Sequence, residues 1–311
     1  MDFQIREPIL VIGTGGAGSR LATMAAKAAG ADCLLISSDS ADLGGSKSVQ
    51  ISTKGVINPS VRLVRASAYE AAGQIESAMR GYSTVIMMSN LAGKTGAAVA
   101  PVVSGMCKKA GTGLVSFAIM PFGYEKNRLF DSGIALKRIR ADSGCTVVLD
   151  NDSMLESNPD LSPKECYGIA DSAIMHVVCS LGSSEMSGTS ILTAGRQRQD
   201  IEESLRDSLK MLYGNAPPGS TRRSMLYVVG GGVSTGMIDS VSKITSGMLG
   251  DGGSHVDSAS EESGIVMLSS VQGMTKFDGY DPLGAIPQED TLDWSAPECS
   301  IDCGLELYQM E

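Results

Sequence analysis

Gly13, Gly15 and Gly18 lie in the run Ile9-Leu10-Val11-Ile12-Gly13-Thr14-Gly15-Gly16-Ala17-Gly18-Ser19-Arg20 and spell G-x-G-x-x-G. Four aliphatic residues end in glycines, and an Ala-rich, helix-prone stretch follows from Leu21 to Ala29. A glycine turn between a strand and a helix lets backbone N–H groups and the positive end of the helix dipole approach a phosphate. The chemistry of the run is therefore phosphate binding, with a plain tight turn as the other reading. The spacing fits a dinucleotide. Asp39 also stands where such a domain places its ribose-binding acid, about 20 residues further on.

A second glycine turn, Gly93-Lys94-Thr95-Gly96, follows another apolar run and opens another helix. It is not a Walker A loop, because Met88 occupies the place of the first glycine. A dinucleotide domain has no use for such a turn, and two of them suggest phosphates held from two sides. Lys94 would add a point charge at a terminal phosphate; a solvated loop lysine is the alternative. Tyr167 and Asp171 are four residues apart, hence on one face of a helix. The tyrosine offers a stacking face, and the aspartate offers the acceptor that a guanine N1–H and amino group require. A half-buried tyrosine beside a solvated aspartate is the alternative there.

These residues need elements to place them. Near-continuous apolar runs at Ile9–Ile12, Cys33–Ile36, Thr84–Met88, Leu114–Met120 and Thr146–Leu149 read as strands. Helical patterns lie between them: 21–29, 61–80, about 97–110 with Pro101 near its start, and 132–141. Such alternation predicts an α/β fold, with a mostly parallel sheet covered by helices on both faces. Ligands sit at the carboxyl ends of such strands. The segments 13–20, 37–43, 89–96, 121–128 and 150–153 all fall at those ends. A central helix is expected at 163–183, a Gly/Ser/Thr-rich stretch at 181–195 and a helix at 201–212. After the break at Asn215–Ser220, a strand at 225–229, a helix near 234–249 and a strand at 264–268 suggest a smaller C-terminal α/β domain. The expected division is a nucleotide-binding domain over 1–183, a connector over 184–220 and the C-terminal domain with an irregular tail over 221–311.

The 311 residues allow about two domains. A net charge of −10 argues against a duplex nucleic-acid partner and against an anionic membrane surface. With no long apolar run or leader, no membrane insertion is expected and the chain reads as cytoplasmic. Seven scattered cysteines read as reduced and buried. Only Cys299 and Cys303 lie close together, and the chain has two histidines, His176 and His255, so no side-chain metal site is expected.

Taken in order, the site segments resemble the tubulin/FtsZ superfamily, and FtsZ most closely, over roughly residues 8–285. Val11–Gly18 resembles the first nucleotide loop and Ser37–Leu43 the Asn-Thr-Asp-x-x-x-Leu segment. Ile57-Asn58-Pro59 is similar to the third loop, and Gly96-Ala97-Ala98-Val99-Ala100-Pro101-Val102-Val103 to the end of the fourth. Pro121–Glu125 with Arg128 resembles the ribose segment, Asn151–Leu155 the Asn-Asp-x-Leu motif, and Tyr167–Asp171 the guanine-reading part of the central helix. The resemblance implies a Rossmann-like GTPase domain binding GTP or GDP, with Mg2+ accompanying GTP. Gly15, Gly16, Ala17, Gly18, Arg20, Gly93, Lys94, Thr95 and Gly96 would hold phosphates. Ser38 and Asp39 would form the second loop. Glu125 and Arg128 would contact ribose, and Asn151, Tyr167 and Asp171 the guanine. It also implies a cytoskeletal, cell-division type of protein that assembles with itself head to tail.

The departures carry equal weight. Ala92-Gly93-Lys94-Thr95-Gly96-Ala97-Ala98 stands where the family has Gly-Gly-Gly-Thr-Gly-Thr-Gly, and Ser19-Arg20 where Gly-Asn is usual. The family's water-activating segment, Asn-x-Asp-Phe-Ala-Asp-Val, has no counterpart in 187–201. Asp200-Ile201 matches its last two residues, leaving Asp200 as the candidate catalytic acid; without a gap, Thr193 and Arg196 fall at the acidic positions. At least one carboxylate is lost either way, so slow or absent hydrolysis is expected. A non-polymerising GTP/GDP-binding scaffold and an NAD-type oxidoreductase are the alternatives. The tail has no long linker ending in an apolar peptide, so tethering to a membrane ring is not expected.

Overall fold

The computed structural model describes residues 4–44, 47–181, 188–195, 201–229, 251–257 (backbone only) and 264–281, with 236, 239, 241 and 243 singly. Among these residues one ten-stranded sheet forms the centre of the molecule. The first part alternates β1 (Ile9–Thr14), α1 (Gly15–Ala29), β2 (Asp32–Ser37), β3 (Lys47–Gln50), α2 (Val61–Glu70), α3 (Ala72–Met79), β4 (Thr84–Asn90) and α4 (Lys94–Ala110). It continues through β5 (Gly113–Met120), α5 (Lys126–Asp142), β6 (Cys145–Asp150), α6 (Asn151–Ser157) and α7 (Pro163–Ser180). The last part contains β7 (Gly188–Ala194), α8 (Ile201–Asn215), β8 (Thr221–Val229), β9 (Asp251–Asp257) and β10 (Gly264–Val271). The strand order is β3-β2-β1-β4-β5-β6-β7-β10-β8-β9. Strands β1 to β7 pair in parallel, while β10 runs antiparallel to both β7 and β8. The C-terminal strands thus extend the sheet of the N-terminal part.

Helices cover both faces, as the continuous apolar strands require. Leu21 and Ala25 of α1 and Ala173 and Val177 of α7 pack on one face with Val11, Ile86 and Val147. On the other, Val64 of α2, Val99 and Val103 of α4 and Leu136 of α5 pack with Leu10, Ile12 and Val85. Helix α8 packs Leu205 and Leu212 against Ile191, Leu226 and Met267, while α7 takes the alternate residues of the same strands. Glycines permit the closest approaches. A Cβ on Gly18 would lie 2.5 Å from the Met88 carbonyl oxygen, and one on Gly96 would lie 2.1 Å from that of Asn90.

Several boundaries differ from the expectation. Helices α1 and α4 start at Gly15 and Lys94 rather than near Leu21 and Ala97, so both glycine turns are the first turns of helices. Glycine's low helix propensity hides this, and packing overrides it. The pattern over 61–80 is two helices, broken at Ala71. Strands β3, β7 and β9 arise in segments read as loops. The helix at 132–141 begins at Lys126, and the one at 201–212 runs to Asn215. The central helix ends at Ser180, and 182–183 lie outside the described residues, as do Gly230–Gly232, Cys299, Cys303 and most of the helix expected near 234–249.

Pro101 consequently sits in the interior of α4 rather than near its start. Proline supplies no N–H to the carbonyl four residues earlier, which is that of Ala97. The Arg65 Nη2 donates to the Ala97 oxygen at 3.1 Å and replaces the missing bond. Arg65→Ala is therefore expected to destabilise the fold by about 1–2 kcal/mol in urea unfolding; an unchanged midpoint would show that the carbonyl finds another donor.

Candidate functional site

Because β1, β2, β4, β5 and β6 are parallel, Thr14, Ser37, Asn90, Met120 and Asp150 end along one edge of the sheet. The chain leaves β1 toward β2 on one side and returns through β4 on the other, which opens a crevice between the ends of β1 and β4. Helices α1 and α4 start there from opposite faces of the sheet. Neither N-cap, Thr14 or Gly93, makes a side-chain capping bond, and neither first turn carries an acid. Both helix ends therefore present N–H groups and positive dipole ends with no acid in their own first turns.

The two turns touch. Gly15 has φ +69°, a left-handed conformation that favours glycine, and a Cβ on it would lie 3.2 Å from Thr95 Cβ. A Cβ on Gly16 would lie 2.7 Å from Asp42 Oδ1, so the bare backbone there faces a carboxylate. Ala17 beside it is partly exposed on the first turn of α1. Ser38 Oγ and Thr95 Oγ1 share a hydrogen bond of 2.9 Å, joining the second loop to the fourth. Beneath them the buried hydroxyls of Thr14 and Ser89 pair at 2.8 Å. Asp39 accepts from the Ala41 N–H at 2.9 Å, while Asp42 accepts from Ser37 Oγ at 2.6 Å. Lys94 Nζ donates to Asn58 Oδ1 and ties the fourth loop to the third.

The ribose candidates form a pair of their own. Arg128 Nη1 meets Glu125 Oε1 at 3.0 Å and donates to the Ala92 oxygen at 3.1 Å, next to Gly93. Glu125 accepts from the Phe122 N–H at 3.2 Å. Phe122 stacks on Tyr124, with centroids 5.1 Å apart, and lies 5.8 Å from the Tyr167 ring. Tyr167 keeps 40% of its surface exposed, which leaves an open aromatic face. Asn151 is 1% exposed, and its Oδ1 is buried with no partner. The Ser19 hydroxyl is in the same condition. A buried acceptor without a donor is costly, and Asn151 fits a site completed by a hydrogen-bonding ligand.

Arg20, expected among the phosphate residues, pairs with one of the base candidates. Its Nη1 lies 2.6 Å from Asp171 Oδ2. Burial raises the Asp171 pKa above the usual aspartate value, and Arg20 opposes part of that rise. Asp152 accepts from the Gly123 N–H at 2.6 Å, fixing the ribose segment to the start of α6. Lys276 Nζ then bridges Asp150 Oδ2 at 3.1 Å and Asp152 Oδ2 at 3.0 Å. Burial works against the lysine's charge, but the two carboxylates outweigh it and raise its pKa.

The sequence thus marked residues that do gather: Gly15, Thr95 and Ser38 at one end, Glu125 with Arg128, and Tyr167 with Asp171. It missed the roles of Asp42 and Asn58, both inside quoted motifs, and of Lys276, which no local signal marks. Asp200, the candidate catalytic acid, lies outside the described residues. Thr193, at the first acidic position of the ungapped alignment, is buried in β7 and donates to the Met267 oxygen at 3.5 Å. Among the described residues no group of three or more His, Cys, Asp or Glu side chains is placed to hold a metal ion, and no helix is long and apolar enough to cross a membrane.

Residues 8–159 match the family model described as Tubulin/FtsZ family, GTPase domain. Over this segment the chain belongs to the tubulin/FtsZ family. Cell division protein FtsZ 1 of Thermococcus kodakarensis is 28% identical over 187 residues, covering 56% of this chain and 50% of that protein. FtsZ of Methanothermobacter thermautotrophicus is 28% identical over 186 residues, covering 56% and 48%. The chain thus spans about half the length of these FtsZ relatives. An empty FtsZ dimer from M. jannaschii superposes with a TM-score of 0.68 at 21% identity, over 90% of this chain and 92% of that one. A GTPgS-bound protofilament of CetZ2 from Haloferax volcanii gives 0.67 at 14% identity, over 89% and 98%. These two likenesses show a shared fold across most of the chain, well beyond the segment that the family model matches.

Proposed function

We propose that this chain is an FtsZ-like cytoskeletal protein of the cytoplasm that binds GTP or GDP and assembles with itself head to tail. The observation that carries this reading is the convergence of two uncapped helix N-termini, α1 and α4, from opposite faces of the sheet. Gly15, Gly16, Ala17, Gly18, Gly93, Lys94, Thr95 and Gly96 hold the phosphates, with Ser38 and Asp39 on the second loop. Glu125 and Arg128 bind ribose, and Asn151, Tyr167 and Asp171 bind guanine. GTP would supply the phosphoanhydride to be cleaved, and Mg2+ would accompany it and offset its charge. The chain's own contribution is to orient those phosphates by backbone N–H groups and by the Lys94 charge. A head-to-tail contact is heterologous and non-closing, and so builds open filaments.

Hydrolysis in this reading is slow or lost. Thr193 lies inside the sheet, so the ungapped alignment places no carboxylate there for a neighbouring subunit. Pelleting and turnover, measured together over a range of protein concentrations, test this. Assembly is expected to require GTP, while turnover per chain stays low. Absence of any nucleotide-dependent assembly would contradict the filament reading and favour a non-polymerising binding protein. Fast turnover that rises steeply with concentration would contradict the loss of hydrolysis.

A further inference from the structure

Arg20 stands at the base end of the site, where it contacts the carboxylate assigned to guanine. Its side chain is 56% exposed and that of Asp171 is 13% exposed, so the arginine covers a largely buried carboxylate one helical turn from the exposed Tyr167. A free carboxylate accepts two parallel N–H bonds, one on each oxygen. Guanine offers such a pair, its N1–H and its 2-amino group. Here one oxygen, Asp171 Oδ2, is already held by Arg20 at 2.6 Å. Each carboxylate oxygen has two acceptor sites, so the arginine competes with the base at Oδ2, and Oδ1 is the oxygen without that competitor. The guanidinium has further N–H donors in its fork, which suit an acceptor next to the base donor, such as the O6 of a 6-oxopurine.

We propose that the Arg20–Asp171 pair reads the O6/N1–H edge of a 6-oxopurine and leaves the 2-amino group of guanine largely unread. This rests on the reading of the crevice as a purine nucleotide site. Guanine and hypoxanthine share that edge. Adenine reverses it, setting its 6-amino donor against the guanidinium and its N1 acceptor against the largely buried carboxylate, and a site that leaves such a buried group mismatched rejects the ligand strongly. Arg20 is thus a specificity residue whose presence relaxes the choice between guanine and hypoxanthine while keeping adenine out.

Equilibrium titration of the whole chain with GTP, ITP and ATP tests this, repeated on Arg20→Ala and Asp171→Asn. ITP is expected to bind within about threefold of GTP, and ATP far more weakly. Arg20→Ala frees the second carboxylate oxygen and is expected to raise the ITP-to-GTP ratio of dissociation constants about tenfold, the worth of one charge-assisted hydrogen bond. Asp171→Asn is expected to weaken GTP and ITP together. A wild-type preference for GTP over ITP of tenfold or more would overturn the proposal, and so would a ratio that Arg20→Ala leaves unchanged. Failure of every purine triphosphate to bind the wild-type chain would instead overturn the nucleotide reading itself. Arg20 is largely exposed, so its loss leaves the fold intact, which the unfolding midpoint verifies.

Discussion

Replacing Lys276 by methionine is expected to destabilise the fold by about 3 kcal/mol, the scale for removing one partner of a buried ion pair. The Asp150 side chain is fully buried, and Lys276 is its only ion-pair partner among the described residues. Ser153 Oγ and the Ser153 N–H also bond Asp150, at 2.6 and 3.2 Å, but neither carries charge. Lys276 is itself only 25% exposed, so water replaces it poorly. The pH dependence follows from its raised pKa. Its contribution is fully present below the lysine's unfolded value and is lost only as pH rises through the higher folded one. Urea unfolding between pH 6 and 9 should therefore show a constant deficit for Lys276→Met. The double variant Lys276→Met/Asp150→Asn should recover part of it, because the stranded charge is gone. A deficit below about 1 kcal/mol, or no recovery, would contradict the pairing.

Asp171→Asn is expected to cost about 2 kcal/mol of guanine nucleotide affinity, or roughly thirtyfold, since an acceptor for a base N–H is replaced by an amide that also donates. The carboxylate must be ionised to accept. Burial raises its pKa, with Arg20 opposing, so GTP affinity should begin to fall at a higher pH than for an ordinary aspartate as the solution is acidified. The asparagine variant should remove this acid-side loss. Unchanged affinity and an unchanged pH profile would take Asp171 out of the base site. The consequence extends to Tyr167, since the two lie one turn apart on α7.

The parts of this architecture that were legible share a cause. Strands β1, β2, β4, β5 and β6 are apolar on both faces because helices cover both, and a continuous aliphatic run records that directly. Strand β3, Lys47-Ser48-Val49-Gln50, lies at the sheet edge and buries only Val49 among its four residues, so its composition reads as a loop. Strand β7 is Gly-Thr-Ser-Ile-Leu-Thr-Ala, polar for a buried strand, and its place between β6 and β10 is set by pairing partners distant in the sequence. The glycine turns do not read as helix, because glycine marks the close approach of Gly18 to Met88 and of Gly96 to Asn90 as much as a phosphate cradle. Arg20–Asp171 and Lys276–Asp150 were out of reach for the same reason as β7. Each joins residues more than a hundred positions apart, and no local pattern encodes such a contact. Arg20 in particular was grouped by its sequence neighbours with the phosphate turn, whereas its length carries it across to α7.

Competition against labelled GTP tests whether the crevice between α1 and α4 binds a guanine nucleotide. Unlabelled GTP and GDP are expected to displace the label at comparable concentrations, while ATP and NAD do not. Displacement by NAD with no preference for GTP would return the opening glycine run to the dinucleotide that its spacing spells, and would contradict the account.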